Sequence, residues 1–330
     1  MKANEPAWLT ITIYACLCLF PLLGLFLLAK GLENVGNAWS STSWPTTKGR
    51  VVRSAVEAES SKSGTMYLSQ IAIEYGVHGQ TFTTTTLHYG QVLGSGDESE
   101  IILQRLRFQE GREVEVSYDP AKPNEAVVHP GMHLDLLWLP GAGLGFFLPG
   151  VMFPVLYWSS QSNNSRGMRL GIGMFAVIFM LVGTPMLIAG SYRLWNAQNS
   201  ATWPTTEGEI IHSNRSSSES ETRDEDGEIV RTETFSANLI YRYVVNGQRL
   251  YNNVRRFGQL AGADEDWAQE IVDRYSISKK VRVFYRVDNP STSVLEPGIS
   301  DEAWYLPGAG AAFFLFGLAV LLFIVVPGRI

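Results

Sequence analysis

The chain has 330 residues with 26 Lys or Arg and 32 Asp or Glu, a formal net charge of −6. With no basic stripe, an acidic balance argues against a phosphate-neutralising nucleic-acid surface and against a peripheral grip on anionic lipid, which needs the same sign. The two cysteines, Cys16 and Cys18, sit in one apolar run, so they read as small apolar residues and leave the rest of the chain without a disulfide.

Residues 8–30 form a first stretch with no charge in its interior, about as long as the ~20 apolar residues needed to cross a bilayer. It exceeds the apolar core of a signal peptide and no small-residue cleavage site follows, so it is expected to be a retained helix. Residues 36–133 then change period. Val51, Val52 and Val56, then Leu68, Ile71, Ile73, Tyr75 and Val77, fall at strand spacing, and His78-Gly79 turns the chain into a further strand over 81–87. Asp97, with Glu100 three residues on, caps a predicted helix carrying Ile102, Leu103 and Leu106. Val114-x-Val116-x-Tyr118 and Ala126-Val127-Val128 close the unit as two short strands.

A second span is predicted over 136–158, a short loop over 159–169 and a third span over 170–190. Residues 195–301 repeat the soluble domain and 304–326 form the fourth span. The repetition is explicit: Trp44-Pro45-Thr46-Thr47-x-Gly49 returns 159 residues on as Trp203-Pro204-Thr205-Thr206-x-Gly208, and Leu139-Pro140-Gly141-Ala142-Gly143 returns 167 residues on as Leu306-Pro307-Gly308-Ala309-Gly310. Tyr75 and Tyr243 differ by 168, which places a nine-residue insertion between Ile211 and Tyr243, in the charged Ser216 to Glu233 stretch. Asp224-Glu225-Asp226-Gly227-Glu228 inside it lacks the ligand series of a calcium loop and reads as a solvated hairpin tip. The fold class is therefore α+β for the soluble domains, mostly antiparallel β with one helix each, in two copies combined with a four-helix transmembrane bundle.

Each copy has two spans, so both domains share one face of the membrane as parallel repeats. Lys2, Arg166, Arg169 and Arg329 flank the short segments, against Lys30 and Arg193 at the domain side. The positive-inside rule then puts both termini and the 159–169 loop in the cytoplasm, and the domains outside a cell inner membrane.

A Trp-x-x-x-x-Gly opening, a Tyr-rich strand running into a Gly turn, and a closing Tyr-x-x-x-x-Pro followed by Pro-Gly occur in both copies, the closing run reading Tyr-Asp-Pro-x-x-Pro in the first. In the first these are Trp44, Gly49, Tyr75, Gly79, Phe82, Tyr118, Asp119, Pro120, Pro123, Pro130 and Gly131. In the second they are Trp203, Gly208, Tyr243, Gly247, Tyr251, Tyr285, Pro290, Pro297 and Gly298. The pattern resembles a widespread family of bacterial membrane-associated domains of unknown function. That resemblance implies a membrane-anchored, outward-facing β-rich module and supplies no activity.

Arg286 replaces Asp119 in the second copy, so that carboxylate is not needed by whatever both copies share, and the motif reads as a strand ending in a Pro-stiffened turn. Trp44 and Trp203 are candidate core or interface anchors, and Tyr118 and Tyr285 candidates for the same structural role. His129-x-x-x-His133 has metal-ligand spacing, but Pro130-Gly131 breaks the face and the second copy has Glu296 and Ser300 there. Gly141, Gly145 and Gly308 are candidates for close helix approach, either within the bundle or between copies of the chain. No nucleophile, zinc, phosphate or dinucleotide motif occurs, so no enzyme activity and no cofactor are expected. The spans carry no ionisable residue at depth, which argues against ion-coupled transport. The expected partners are the bilayer and a second copy or another envelope protein, with no nucleic acid. The alternative is a transport or lipid-handling component whose helices, broken by Pro149, Pro154 and Pro185, line a cavity.

Overall fold

The computed structural model describes residues 7–61, 64–91, 94–162, 164–223, 229–259 and 262–325. Helix α1 (Ala7–Ser41) leads into β1 (Thr46–Ser61), β2 (Gly64–Val77), β3 (Gln80–Thr84) and the two-residue β4 (Gly94–Ser95), then α2 (Glu98–Arg107), β5 (Glu113–Tyr118) and β6 (Ala126–Val127). A 3-10 turn at Leu134–Leu137 runs into α3 (Trp138–Gln161), and α4 (Ser165–Ser200) opens the second copy. The order then recurs as β7 (Thr205–Arg223), β8 (Ile229–Val245), β9 (Gln248–Asn252), α5 (Glu265–Arg274), β10 (Lys280–Tyr285), β11 (Ser293–Val294), a 3-10 turn at Asp301–Trp304 and α6 (Tyr305–Val325).

Both sheets are antiparallel, with strand order β3-β2-β1-β5-β6 in the first domain and β9-β8-β7-β10-β11 in the second. The α+β class is as expected, and the small β4 is the one strand the periodicity did not separate. Each hairpin turns on two residues of positive φ, His78 (52°) and Gly79 (80°) or Asn246 (53°) and Gly247 (77°), which a type I′ turn requires. Even the register irregularity recurs, between Val51 and Arg53 and between Ile210 and His212. The inner faces bury Val51, Ile73, Tyr75, Val77 and Val116 in one domain and Ile210, Tyr241, Tyr243, Val245 and Val283 in the other.

The insertion lengthens a two-stranded arm. Strand β7 has 19 residues against 16 in β1, and β8 has 17 against 14 in β2. Arg231 pairs with Glu221 at 3.1 Å and Glu219 at 3.4 Å along it, exposed pairs that stabilise little by themselves. The expected tip, Asp224 to Glu228, lies outside the described residues.

Among the described residues, four helices are long and apolar enough to cross a membrane. Two run further than expected: α1 continues to Ser41 and α4 to Ser200, so 36–41 and 195–200 belong to helices rather than to the domains. At ~1.5 Å per residue, the 35 residues of α1 reach about 50 Å, well beyond the ~30 Å of hydrocarbon. Most of the predicted 159–169 loop is helical: α3 runs to Gln161 and α4 starts at Ser165, capped by Asn164, which accepts from the N–H of Arg166 (3.1 Å) and Gly167 (3.3 Å). Cys16 and Cys18 fall in α1; the surroundings of their side chains, and Lys2 and Arg329, lie outside the described residues.

The helices pair within each copy, α1 with α3 and α4 with α6, and α3 packs on α4 between copies. Pro140 and Pro307 stand in the first turn of α3 and α6, where a missing N–H breaks no helical bond. A Cβ added at Gly31 would lie 2.5 Å from Pro140 Cδ, and one at Gly190 2.5 Å from Pro307 N. A Cβ added at Gly143 would lie 2.7 Å from Leu28 N, and one at Gly310 2.6 Å from Leu187 N. Gly141, Gly145 and Gly308, expected to make this approach within the bundle, do not: nothing lies within 4 Å of a Cβ at any of them. Positions 140, 143, 147 and 150 share one helical face, and 141 and 145 point elsewhere.

Candidate functional site

The recurrent motifs converge where each domain meets its membrane helices. Ser41, buried at the last residue of α1, donates to Ala38 O (2.7 Å) and accepts from the N–H of Gly131 (3.0 Å). Ser200 does the same at the end of α4, with Ala197 O (2.7 Å) and Gly298 N–H (3.0 Å). The Pro-Gly of each closing motif thus ties the sheet to the incoming helix, and its glycine has a φ of 100° or 97° that other residues reach only under strain.

Trp44 and Trp203 stand just after those helices, not in the strands. Trp44 meets Tyr89 edge-on at 6.2 Å and Trp203 meets Phe257 at 5.8 Å. The next residue in each aromatic turn is Gly90 or Gly258, pressed against the 3-10 turn: a Cβ there would lie 2.8 Å from Leu136 N or 2.5 Å from Ala303 Cα. Tyr118 and Tyr285 are half-buried at the ends of β5 and β10, and their N–H groups bond Pro45 O and Pro204 O, both at 3.1 Å. The strand tyrosines Tyr75 and Tyr243 donate their hydroxyls to Pro123 O and Pro290 O at 2.7 Å. Asp119 accepts from Ala121 N–H at 2.8 Å as a turn former, and Arg286 keeps the same backbone turn without it.

Around each junction lies a polar cluster that sequence reasoning recognised only in part. In the second copy, buried Arg255 pairs with Glu296 at 2.7 Å, Arg256 with Glu302 at 2.8 Å, and Tyr275 donates to Glu296 at 2.8 Å. Burial pushes the Arg255 guanidinium down against the opposing pull of Glu296, and burial together with the Glu296 carboxylate raises the Tyr275 phenol. In the first copy the places of Arg256, Glu296, Ser300 and Glu302 hold His88, His129, His133 and Asp135, and Leu87 and Phe108 stand where Arg255 and Tyr275 do. His88 and His133 stack with ring centroids 4.5 Å apart, and His88 Nε2 lies 3.5 Å from Asp135 Oδ2. His133 Nε2 turns to the carbonyl of His129 at 3.2 Å. Local desolvation, then His133, His88 and Arg107, lower the His129 imidazole from its ordinary range, although its outer edge stays exposed to solvent. Among the described residues no group of three or more His, Cys, Asp or Glu is placed to hold a metal ion.

A family model described as "Domain of unknown function (DUF3592)" matches residues 47–133 and again 206–300. The chain belongs to that family. No curated protein matches it. The two matched segments are the two sheets with their helix, so a DUF3592 unit here is the module bounded by the Trp motif and the closing Pro-Gly.

The two DUF3592 units touch through α2. Glu98 accepts from Asn214 at 2.7 Å, Asn253 donates to Ser99 Oγ at 3.1 Å, and Arg107 donates to Tyr251 O at 3.4 Å. Ser99, Leu103 and Arg107 lie at helical spacing on one face, and the first two are buried. Matching the helices at their capping residues, Asp97 and Asp264, sets Asp266 and Glu270 of α5 at the places of Ser99 and Leu103, both exposed. That exchange of charge for Ser and Leu was the available sign of the contact.

Proposed function

We propose that this chain is a non-enzymatic membrane protein that presents its two β-rich domains on the extracytoplasmic side of a cell inner membrane and binds or scaffolds a partner there. The observation that carries this reading is the duplicated junction: each domain is fastened to two membrane helices by the same serine bond and aromatic turn, as a platform is, rather than hung on a linker. The projecting β7–β8 arm and two open grooves, about 370 Å³ along Thr206, Glu207, Lys280 and Arg282 and about 230 Å³ along Lys48, Arg50, Glu74 and Glu113, offer polar contact surface. Helix pairs that close on backbone at Gly24 and Gly183 favour a scaffold over a transport cavity.

The outward orientation rests on Arg166 and Arg169 beside the short α3–α4 connection. Protease added to intact spheroplasts is expected to cut the arm within Ser216 to Glu233 and spare the connection; the reverse pattern overturns the orientation. A photo-reactive residue placed on the arm or in either groove is expected to capture an envelope component in native membranes. Capture only from positions between the helices would point to transport instead.

A further inference from the structure

The first junction is built from imidazoles where the second uses guanidinium–carboxylate pairs, on the same backbone. Val128 and His129 N–H both donate to Leu87 O (3.0 and 2.8 Å), as Leu295 and Glu296 N–H do to Arg255 O (2.9 and 2.8 Å). His88 follows Leu87 as Arg256 follows Arg255, and Asp135 stands in the 3-10 turn before α3 as Glu302 stands in the one before α6. Arg256 is a permanent cation and holds Glu302 at 2.8 Å.

His88 is placed to do the same only when it carries two ring protons. Its Nδ1 lies 3.1 Å from the carbonyl of Tyr89, which can only accept, and so takes a proton on that nitrogen. Its Nε2 then turns 3.5 Å from the Asp135 carboxylate, which also only accepts. A neutral ring leaves a lone pair facing a carboxylate; an imidazolium satisfies both sides. We propose that His88 and Asp135 form a proton-operated clamp between the first domain and the start of α3, closed by acid, where Arg256 and Glu302 clamp the second domain at every physiological pH.

The other groups facing His88 define its limits. His133 stacks on it at 4.5 Å, His129 lies 6.4 Å from His133, Arg107 adds a fixed positive charge near His129, and the Tyr89 ring stands beside the clamp against Trp44. One proton on His88 is balanced by Asp135. Asp135 faces His88, whereas the Nε2 of His133 turns to the carbonyl of His129. The proposal rests on the outward orientation given above only for which compartment's pH is read, and a reversed protease pattern would change that side without altering the clamp.

The test is amide hydrogen exchange of the full chain in nanodiscs at pH 8.0 and pH 5.5, corrected for intrinsic exchange. Protection over residues 87–91 and 129–137 is expected to rise roughly two- to fivefold on acidification, the span of a partly exposed ion pair, while 255–259 and 296–304 stay constant. His88→Arg is expected to hold the first junction protected at both pH values, and His88→Gln and Asp135→Asn to remove the pH response. Equal responses at the two junctions, protection that falls with acid, or an undiminished response in either of those two variants would overturn it.

Discussion

Ser41 Oγ accepts the backbone N–H of Gly131 at 3.0 Å, and Ser200 Oγ accepts that of Gly298 at the same distance. A serine at the end of a membrane helix thereby holds a turn 90 residues later in sequence in the first copy and 98 in the second. Replacing it removes the partner of a buried N–H, and such a group left unsatisfied costs about 1–3 kcal/mol. Ser41→Ala and Ser200→Ala are each expected to lower stability by that amount in denaturant unfolding of the purified protein. Losses indistinguishable from zero would mean that water replaces the hydroxyl and that the tie is incidental.

The glycines give a sharper contrast. Gly24 and Gly183 sit against the backbone of the partner helix, at Gly143 O and Gly310 O, both 2.7 Å from an added Cβ. Gly24→Leu and Gly183→Leu must push the helices apart, an overpacking that costs about 1–3 kcal/mol or more. Gly141→Leu, Gly145→Leu and Gly308→Leu meet nothing inside the chain and are expected to leave thermal unfolding unchanged. If those three instead shift the size of the detergent-solubilised particle, the exposed glycines join one chain to another.

What the sequence made legible was whatever repeats with a local period. The two Gly-closed hairpins, the capped helices at Asp97 and Asp264, and the prolines in the first turn of α3 and α6 all follow from residues within a few positions of one another. Small-x-x-x-small marks any helix face, and only the partner decides which face is used; within the bundle it is the one in line with Pro140, and Gly141, Gly145 and Gly308 are left for contact between chains. The domain starts at 36 and 195 failed because Ala38, Ser41, Ala197 and Ser200 continue a helix whose burial comes from a turn far along the chain. His88 and Asp135 were invisible for the same reason, being 47 residues apart and joined only by the fold.

Tyr75 and Tyr243 test the meaning of the proline that ends both closing turns, Pro123 and Pro290. Each hydroxyl donates to a proline-site carbonyl at 2.7 Å, Pro123 or Pro290, from a ring that is otherwise core. Tyr75→Phe and Tyr243→Phe keep the ring and lose one hydrogen bond, so each is expected to cost about 1 kcal/mol. Melting that drops by several times that amount would show the hydroxyl organising the whole closing turn, and no drop at all would reduce the motif to packing.

The contact between the two domains makes a prediction by exchange. Leu103 is buried on the face of α2 that carries the Ser99 and Arg107 bonds to the second domain, whereas Glu270, its counterpart on α5, is exposed. Leu103→Glu would bury a carboxylate whose cation within reach, Arg107 one turn on, already donates to Tyr251 O, so the desolvation of that carboxylate is expected to open the contact. The domains are then expected to separate while each sheet stays folded, visible as hydrogen exchange rising in α2 and β9 but not in β1 or β7. Glu270→Leu places an apolar side chain at a solvated position and is expected to change stability by less than about 0.5 kcal/mol. Should Leu103→Glu leave exchange in β9 untouched, the side chain faces its own sheet and the contact is held by Glu98, Ser99 and Arg107 alone.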